Sequence, residues 1–147
     1  MYKRQLYDHV DAFDAAVAQY DLWIQAHPDD SRRGEALNER CWARAQAGRD
    51  LDKALSDCNG ALHLRPHTAM ILDSRGLVYL RMGAFDKAIA DYDAALALTP
   101  RLAWSLYGRG LAERRKGLVP QGDADIAAAT TINPTLPDRA KTLGVAP

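Results

Sequence analysis

The sequence predicts an all-α fold of antiparallel helix pairs, because it carries a helical apolar pattern and an internal repeat of fixed length. Between residues 69 and 102, apolar side chains recur every three or four positions on both sides of Gly83, which is typical of helices buried on one face. Aligning the chain with itself at a shift of 34 residues superimposes matching residues. The matched sets are Asp57, Asp91 and Asp125; Ala61, Ala95 and Ala129; and Pro66, Pro100 and Pro134. A repeated two-helix unit predicts a stacked helical array.

The first predicted helix resembles the second half of such a unit. Its apolar stripe runs from Phe13 to Ile24 and ends before Pro28. Too few residues precede it to form a full first helix. We therefore expect either a stub helix within residues 1–11 or a native protein that continues upstream.

Three further units and a short terminal helix follow. Gly48, Gly83 and Gly117 separate the two helices of each unit, and prolines close the second helices. After Pro134, apolar residues on one face predict a capping helix over the last unit, followed by a frayed end at residues 144–147. The predicted divisions are a partial unit at 8–28, units at 34–68, 69–102 and 103–134, and a capping helix with tail at 135–147.

The unit at residues 69–102 carries the residues that point to a family. The characteristic positions are filled by Leu72, Gly76, Tyr79, Ala88, Tyr92, Ala95 and Pro100. In this order and spacing they resemble the tetratricopeptide repeat (TPR) family. The resemblance implies a right-handed superhelical solenoid that serves as a scaffold and binds a protein or peptide. It does not identify the partner.

The resemblance also places one face of each first helix in a concave groove. The groove residues that it implies are Asn38, Glu39, Trp42, Asp73, Leu77, Arg81, Trp104, Tyr107, Leu111 and Arg114. Such a groove has an acidic entrance, an apolar floor and a basic end, which suits a partner helix or an extended peptide. Alternatively, Trp42 or Trp104 packs against a neighbouring helix, and Arg114 complements the carboxyl end of its own helix.

Some members of the family clamp a carboxyl-terminal carboxylate with Lys, Asn and Arg side chains on this face. The matching positions are Asn38, Trp42, Ser74, Trp104 and Gly108, of which only Asn38 has a suitable side chain. We therefore do not expect recognition of a chaperone tail of that type.

Arginine and aspartate recur together in the three units. Arg40, Arg75 and Arg109 precede the close-contact position of each first helix, and they predict one pair per unit with Asp57, Asp91 and Asp125. The alternative is three solvated surface pairs of little energetic value. The small residues are expected to let helices approach, with Gly76 facing Ala88, Gly110 facing Gly122, and Cys41 facing Ala54.

The two cysteines, Cys41 and Cys58, lie on the two helices of one unit, at positions that meet in the family fold. A disulfide between them would place the protein in an oxidising compartment such as a periplasm. Two buried thiols, which are equally compatible with the sequence, would suit the cytoplasm.

Other classes of function find little support in the sequence. Nineteen basic residues balance 19 acidic residues, so no overall charge favours nucleic acid or an acidic membrane surface. No apolar run is long enough to span a membrane. His9, His27, His63 and His67 are scattered, and no catalytic, metal or cofactor motif occurs. We expect a protein that is not an enzyme and that needs no cofactor.

An assembly role is the alternative to ligand binding in the groove. The chain would then be a segment of a longer array, or it would self-associate through the face near Phe13, Tyr20 and Trp23. The sequence is compatible with a monomer or with a weak homodimer.

Overall fold

The computed structural model describes the backbone of residues 2–147 and the side chains of residues 12–147. Within the described backbone every regular element is an α-helix, which confirms the predicted all-α class. The helices are α1 (Tyr2–Ala26), α2 (Arg33–Ala47), α3 (Leu51–Leu64), α4 (Ala69–Arg81), α5 (Phe85–Leu98), α6 (Ala103–Arg115), α7 (Val119–Ile132) and α8 (Leu136–Thr142). No helix among the described residues is both long and apolar enough to cross a lipid bilayer.

The helices pack as three consecutive pairs: α2 with α3, α4 with α5, and α6 with α7. Neighbouring pairs meet where α3 contacts α4 and α5 contacts α6, and α1 packs on α2. Because α2, α4 and α6 also contact one another in chain order, they form one layer of the stack. The groove described below lies on this layer.

A glycine with positive φ ends the first helix of each pair. Gly48 has a φ of +64°, Gly83 of +76° and Gly117 of +87°. After Gly83, the Ala84 N–H donates a hydrogen bond to the Tyr79 carbonyl at 2.9 Å, as in a helix-ending αL turn. The left-handed conformation therefore reverses the chain within a few residues and makes the paired helices antiparallel.

The amino-terminal helix α1 is longer than the stripe from Phe13 to Ile24 predicts. Its backbone is helical without a break over 25 residues, so residues 2–11 continue it rather than form a separate stub. The side chains of the predicted stub lie outside the described residues. Further along α1, Ile24 is buried with Leu37 and Ile71 in a small apolar cluster that fixes α1 on the stack.

The predicted Arg–Asp ladder is confirmed, and each pair has two hydrogen bonds. Arg75, for example, donates from Nε and Nη2 to the two carboxylate oxygens of Asp91 at 2.7 and 2.8 Å. The same arrangement joins Arg40 to Asp57 and Arg109 to Asp125. Asp57 and Asp91 are buried, so these pairs belong to the interior of the stack rather than to its surface.

A third guanidinium nitrogen of the same arginines links one helix pair to the preceding one. Arg75 Nη1 donates to Asn59 of α3 at 3.0 Å, and Arg109 Nη1 donates to Asp93 of α5 at 2.9 Å. Asn59 and Asp93 are themselves 34 residues apart, a match that the sequence contains. The ladder therefore connects repeats as well as the two helices within each repeat.

The close contact predicted between two glycines is confirmed, and two further positions contact side chains that the sequence did not pair with them in this way. A Cβ at Gly110 would lie 2.7 Å from the Gly122 carbonyl oxygen, which confirms that α6 and α7 approach through these glycines. At Gly76, the nearest atoms are those of the Tyr92 ring, which crosses from α5 to the backbone of α4. The sequence did not predict this contact, and the facing of Gly76 and Ala88 stays a prediction. Cys41 contacts Cys58 and belongs to the same buried cluster as its predicted neighbour Ala54.

The prediction of a frayed end after α8 is wrong. Gly144, with a φ of +73°, turns the chain back so that the Val145 N–H donates to the Ala140 carbonyl at 2.9 Å. The Val145 residue is only 8% exposed and packs in the main apolar cluster with residues of α4 and α6. The tail is therefore folded onto the groove layer.

Candidate functional site

Aromatic side chains from two first helices meet across the groove. The Trp104 ring lies edge-on to the Trp42 ring and to the Tyr107 ring, with centroids 6.2 Å apart in both cases. Leu77 and Leu111 belong to the same apolar cluster and are buried. Aromatic and aliphatic residues of α2, α4 and α6 thus form a continuous apolar floor, since α4 lies between the two outer helices.

The chain's own carboxyl-terminal residues cover this floor. Leu136 and Ala140 of α8 are completely buried, and with Val145 they join the apolar cluster of the groove. Val145 contributes to the lining of a very small space, about 10 Å³, together with Trp42, Leu77, Trp104, Tyr107 and other groove residues. A space of that size holds at most a single water molecule, so little room remains between Val145 and the groove residues that line it.

Arg81, at the end of α4, binds the main chain of the residues that follow α8. Its guanidinium donates to the carbonyls of Ala45 and Gln46 in α2, at 3.0 and 2.6 Å. Nη2 also donates to the Leu143 carbonyl at 2.6 Å. Burial lowers the pKa of Arg81 from its ordinary value, because its partners are neutral carbonyl groups that only partly replace water. This arginine therefore holds together α2, α4 and the segment after α8.

A buried acid lies at the floor of the groove. Asp73 is 3% exposed, and its Oδ1 accepts a hydrogen bond from the Ser105 hydroxyl at 2.5 Å. Burial raises the pKa of Asp73 to about 6, although the Ser105 hydrogen bond acts in the opposite direction. Burial also raises the pKa of Tyr92, which lines the same part of the groove, well above its ordinary value.

Two of the ten residues implied for the groove, Glu39 and Arg114, have other surroundings, and a third, Asn38, does not line the space described above. Glu39 lines a surface depression with Tyr20 and Trp23, on the α1 side of α2. Arg114 pairs with Asp123 of α7 at 3.4 Å, so it faces the partner helix of its own unit. Asn38 is partly buried, and among the described side chains its Oδ1 lacks a hydrogen-bond donor. The structure therefore brings together Trp42, Asp73, Leu77, Arg81, Trp104, Tyr107 and Leu111.

Sequence reasoning missed the residues that complete this site. Tyr92 reaches the groove from α5 because Gly76 and Gly108, on the two flanking first helices, leave room for its ring. The pairing of one tyrosine with two glycines on neighbouring units was a usable signal. Leu143 belongs to the apolar face that predicts the capping helix, whereas Val145 gave no signal, since it lies beyond that helix.

The structure places the sulfur atoms of Cys41 and Cys58 at bonding distance, 2.01 Å, with Cα atoms 5.6 Å apart. Both residues are completely buried beneath the groove layer. Their place between α2 and α3 fixes the helix pair that carries Trp42. Within residues 12–147, no three His, Cys, Asp or Glu side chains are arranged to hold a metal ion.

Comparisons with known proteins agree on one fold. The family profile described as tetratricopeptide repeat matches residues 42–106. No curated protein is similar enough in sequence to count as a match. Among solved structures, MamA from Desulfovibrio magneticus RS-1 (residues 41 to the end) is 24% identical, with a TM-score of 0.70 over 97% of this chain and 77% of that one.

Two further solved structures are similar. The first TPR of Spaghetti (RPAP3), bound to the HSP90 peptide SRMEEVD, is 20% identical, with a TM-score of 0.66 over 78% of this chain and 90% of that one. A tetratricopeptide repeat protein from Parabacteroides merdae is 23% identical, with a TM-score of 0.67 over 96% of this chain and 55% of that one. At these identities the likeness concerns the fold.

Proposed function

This chain is a tetratricopeptide repeat protein, and we propose that it is a non-catalytic interaction scaffold whose groove binds a peptide or helix of another protein. The fold supports the general role of a protein–protein interaction scaffold. The finer assignment, to the groove on α2, α4 and α6, depends on one observation. Trp42, Leu77 and Trp104 form an apolar floor that already holds a peptide segment, the chain's own residues 136–146.

The composition of the floor supports a peptide ligand. Tryptophan, tyrosine and arginine are the residue types that most often dominate binding energy at interfaces. Trp42 and Trp104 supply aromatic contact area, and Arg81 supplies donors for main-chain carbonyls. An apolar segment with a hydrogen-bonded backbone fits these features better than a small polar metabolite does.

The bound peptide of the Spaghetti structure is an acidic sequence, SRMEEVD. We propose that the ligand of this chain is of a different kind. Ser74 is buried and donates to the Met70 carbonyl at 3.0 Å, and Gly108 lies against the Tyr92 ring. Neither position supplies a cation for a carboxylate, so an aliphatic ligand is favoured over an acidic tail.

Peptide selection from a random library tests the proposal, since it requires no identified partner. Random peptides displayed on phage are selected on the immobilised wild-type protein, and enriched sequences are synthesised for affinity measurements. Because both aromatic anchors are lost, Trp42→Ala/Trp104→Ala is expected to weaken binding by roughly 30-fold or more. Trp23→Ala, the same change on α1, is the matched control and should leave the affinity unchanged. Enriched peptides that bind the double variant as tightly as the wild type would contradict the proposal.

Self-association through α1 is the second candidate, and the packing of α1 favours it less. Tyr20 and Trp23 are partly buried against Ile24, Leu37 and neighbouring residues, so much of the face proposed for self-association is already covered. Light scattering of the wild type and of Trp23→Asp tests it. A dimer that dissociates in the variant would support assembly, and a monomer in both would support the groove.

We propose further that the protein works in an oxidising compartment such as a periplasm if Cys41 and Cys58 form a disulfide in the native protein, and in the cytoplasm otherwise. The pairing of the two buried sulfur atoms supports the first alternative. Thiol titration of unfolded, unreduced protein purified from its native source distinguishes them. No free thiols are expected, whereas two free thiols would indicate the cytoplasm.

A further inference from the structure

The segment at residues 136–146 has the two-sided character of a groove ligand. Leu136, Ala140 and Val145 are buried in the apolar cluster that includes the groove residues, whereas Asp138 and Lys141 are exposed. The buried side chains are aliphatic. Leu136 and Ala140 are one helical turn apart, and Val145 follows the turn at Gly144. Amphipathic helices commonly bind in the grooves of other proteins through their apolar face.

The contacts of the segment are those of a bound peptide. Arg81 donates to the Leu143 carbonyl, a main-chain group, at 2.6 Å. The Arg139 guanidinium lies 5.5 Å from the centroid of the Trp104 ring, within the range of a cation–π contact. Val145 is inserted into the floor beside Trp42 and Leu77. The groove therefore binds the segment through a hydrogen bond to its main chain, a cation–π contact and a buried aliphatic side chain.

The helix α8 contacts its neighbours less extensively than the helices of the stack contact one another. The seven-residue helix α8 is too short to be stable by itself in water, so its structure depends on the groove. An open cavity of about 190 Å³ lies on one side, lined by residues that include Phe85, Arg115 and Val145. A second, of about 240 Å³, is lined by residues that include Gln46 and Leu143. Incomplete packing on both sides leaves room for a competitor to begin binding.

We propose that residues 136–146 are an intramolecular ligand that occludes the groove, and that the partner is a polypeptide segment of the same chemistry that displaces them. This segment carries Leu and Ala one helical turn apart, a basic residue for Trp104, and a β-branched aliphatic residue after a turn. The inference rests on the proposed function of the groove. Since the occluded state must open first, the apparent affinity for the partner is lower than the intrinsic affinity by the open fraction.

A peptide with the chain's own sequence tests the proposal directly. Fluorescently labelled peptide 134–147 is titrated into the full-length wild type and into full-length Val145→Asp, and its anisotropy is measured. The variant places a charge in the apolar floor and releases the segment, so it is expected to bind the peptide about tenfold or more tightly than the wild type does. Val119→Asp, the same change at an exposed valine of α7, is the matched control and should bind as weakly as the wild type.

A second variant opens the groove without adding a charge. Gly144→Val places a β-branched residue at a φ of +73°, where it is strained, and it should release the segment in the same way. Circular dichroism and cooperative thermal unfolding establish that each variant is folded. A peptide that carries Val145→Asp itself should bind neither variant, because it lacks the buried aliphatic side chain.

Three results would overturn the inference. The first is a folded Val145→Asp or Gly144→Val protein that binds the wild-type peptide no more tightly than the wild type does. The second is a wild-type dimer that Val145→Asp dissociates, which would place the segment in the groove of a second copy. The third would refute this inference while the proposed function stands. In that case the selected peptides lose affinity in Trp42→Ala/Trp104→Ala, yet they bind Val145→Asp no more tightly than they bind the wild type. Selected peptides that are indifferent to both tryptophans would remove both proposals.

Discussion

At the scale of single residues, the Arg–Asp ladder makes a prediction with an internal control. Asp91 is 6% exposed and accepts two of the three hydrogen bonds that Arg75 donates, so Asp91→Asn leaves a partly buried guanidinium without its counter-charge. We expect the free energy of unfolding to fall by about 2–3 kcal/mol in urea titrations. Asp93→Asn is the control, because the Asp93 side chain is 56% exposed and its pair with Arg109 should contribute less than about 1 kcal/mol. Equal losses in the two variants would contradict an interior ladder.

The buried carboxyl of Asp73 predicts that the stability of the protein depends on pH. Burial raises the pKa of Asp73 from 3.8 to about 6, so the folded state holds its proton more tightly than the unfolded state does. The contribution of this carboxyl is therefore most favourable below about pH 4, declines between about pH 4 and pH 6, and is constant above that range.

Asp73→Asn removes this ionisation and keeps an acceptor for the Ser105 hydroxyl. We expect the variant to be more stable than the wild type at pH 8, by at most about 3 kcal/mol, with the difference vanishing near pH 4. Ser105→Ala should widen the pH dependence, because the hydroxyl donates to the carboxylate and lowers its pKa. Urea unfolding at both pH values measures these differences, and a variant whose stability parallels that of the wild type would contradict the assignment.

At the scale of helices, the packing of Tyr92 between α4 and α6 requires glycine on both sides. A Cβ at Gly108 would overlap the Tyr92 ring, which is itself buried and unable to move aside. We therefore expect Gly108→Ala to lower the free energy of unfolding by roughly 1–3 kcal/mol, despite the higher helix propensity of alanine.

Gly60 in α3 is the matched control for that substitution. A Cβ there would make only an ordinary contact, 3.4 Å from Leu37 Cδ1. Gly60→Ala should therefore raise the free energy of unfolding by roughly 0.5–1 kcal/mol, through helix propensity and a less flexible unfolded chain. Thermal unfolding of the two variants gives the signs, and stabilisation by Gly108→Ala would show that α4 and α6 are not held apart by Tyr92.

The helices themselves were accessible from the sequence, because their signals are local. The predicted unit at residues 34–68 contains the helix pair α2 and α3, and Gly48 and Pro66 lie on either side of α3. The pairing of Arg75 with Asp91 was equally accessible, because the repeat presents it three times. The position of Val145 in the groove was not accessible from the sequence. It depends on residues of α2, α4 and α6 that are distant in the chain, and Val145 itself lies outside the repeats. The sequence therefore predicts the groove but not its occupant.

At the scale of the whole molecule, a disulfide between Cys41 and Cys58 would join α2 to α3 within one helix pair, and other pairs pack on that pair. It closes a loop with a sequence separation of 17, for which chain entropy gives roughly 3 kcal/mol. Because each repeat is stabilised by its neighbours, loosening α2 and α3 should also weaken the support of Arg81 and hence the docking of residues 136–146. Reduction should therefore lower the unfolding free energy by about that amount.

The same reduction should not raise the affinity for labelled peptide 134–147, because the peptide and the tethered segment use the same groove contacts and are weakened together. The Cys41→Ala/Cys58→Ala variant reproduces the reduced state without reductant, and its response to dithiothreitol is the control, which should be absent. Urea unfolding and peptide anisotropy, each with and without dithiothreitol, measure stability and peptide binding separately. Lower stability with unchanged or weaker peptide binding is the expected result. Tighter peptide binding after reduction would mean that loosening α2 and α3 releases residues 136–146 without weakening the groove.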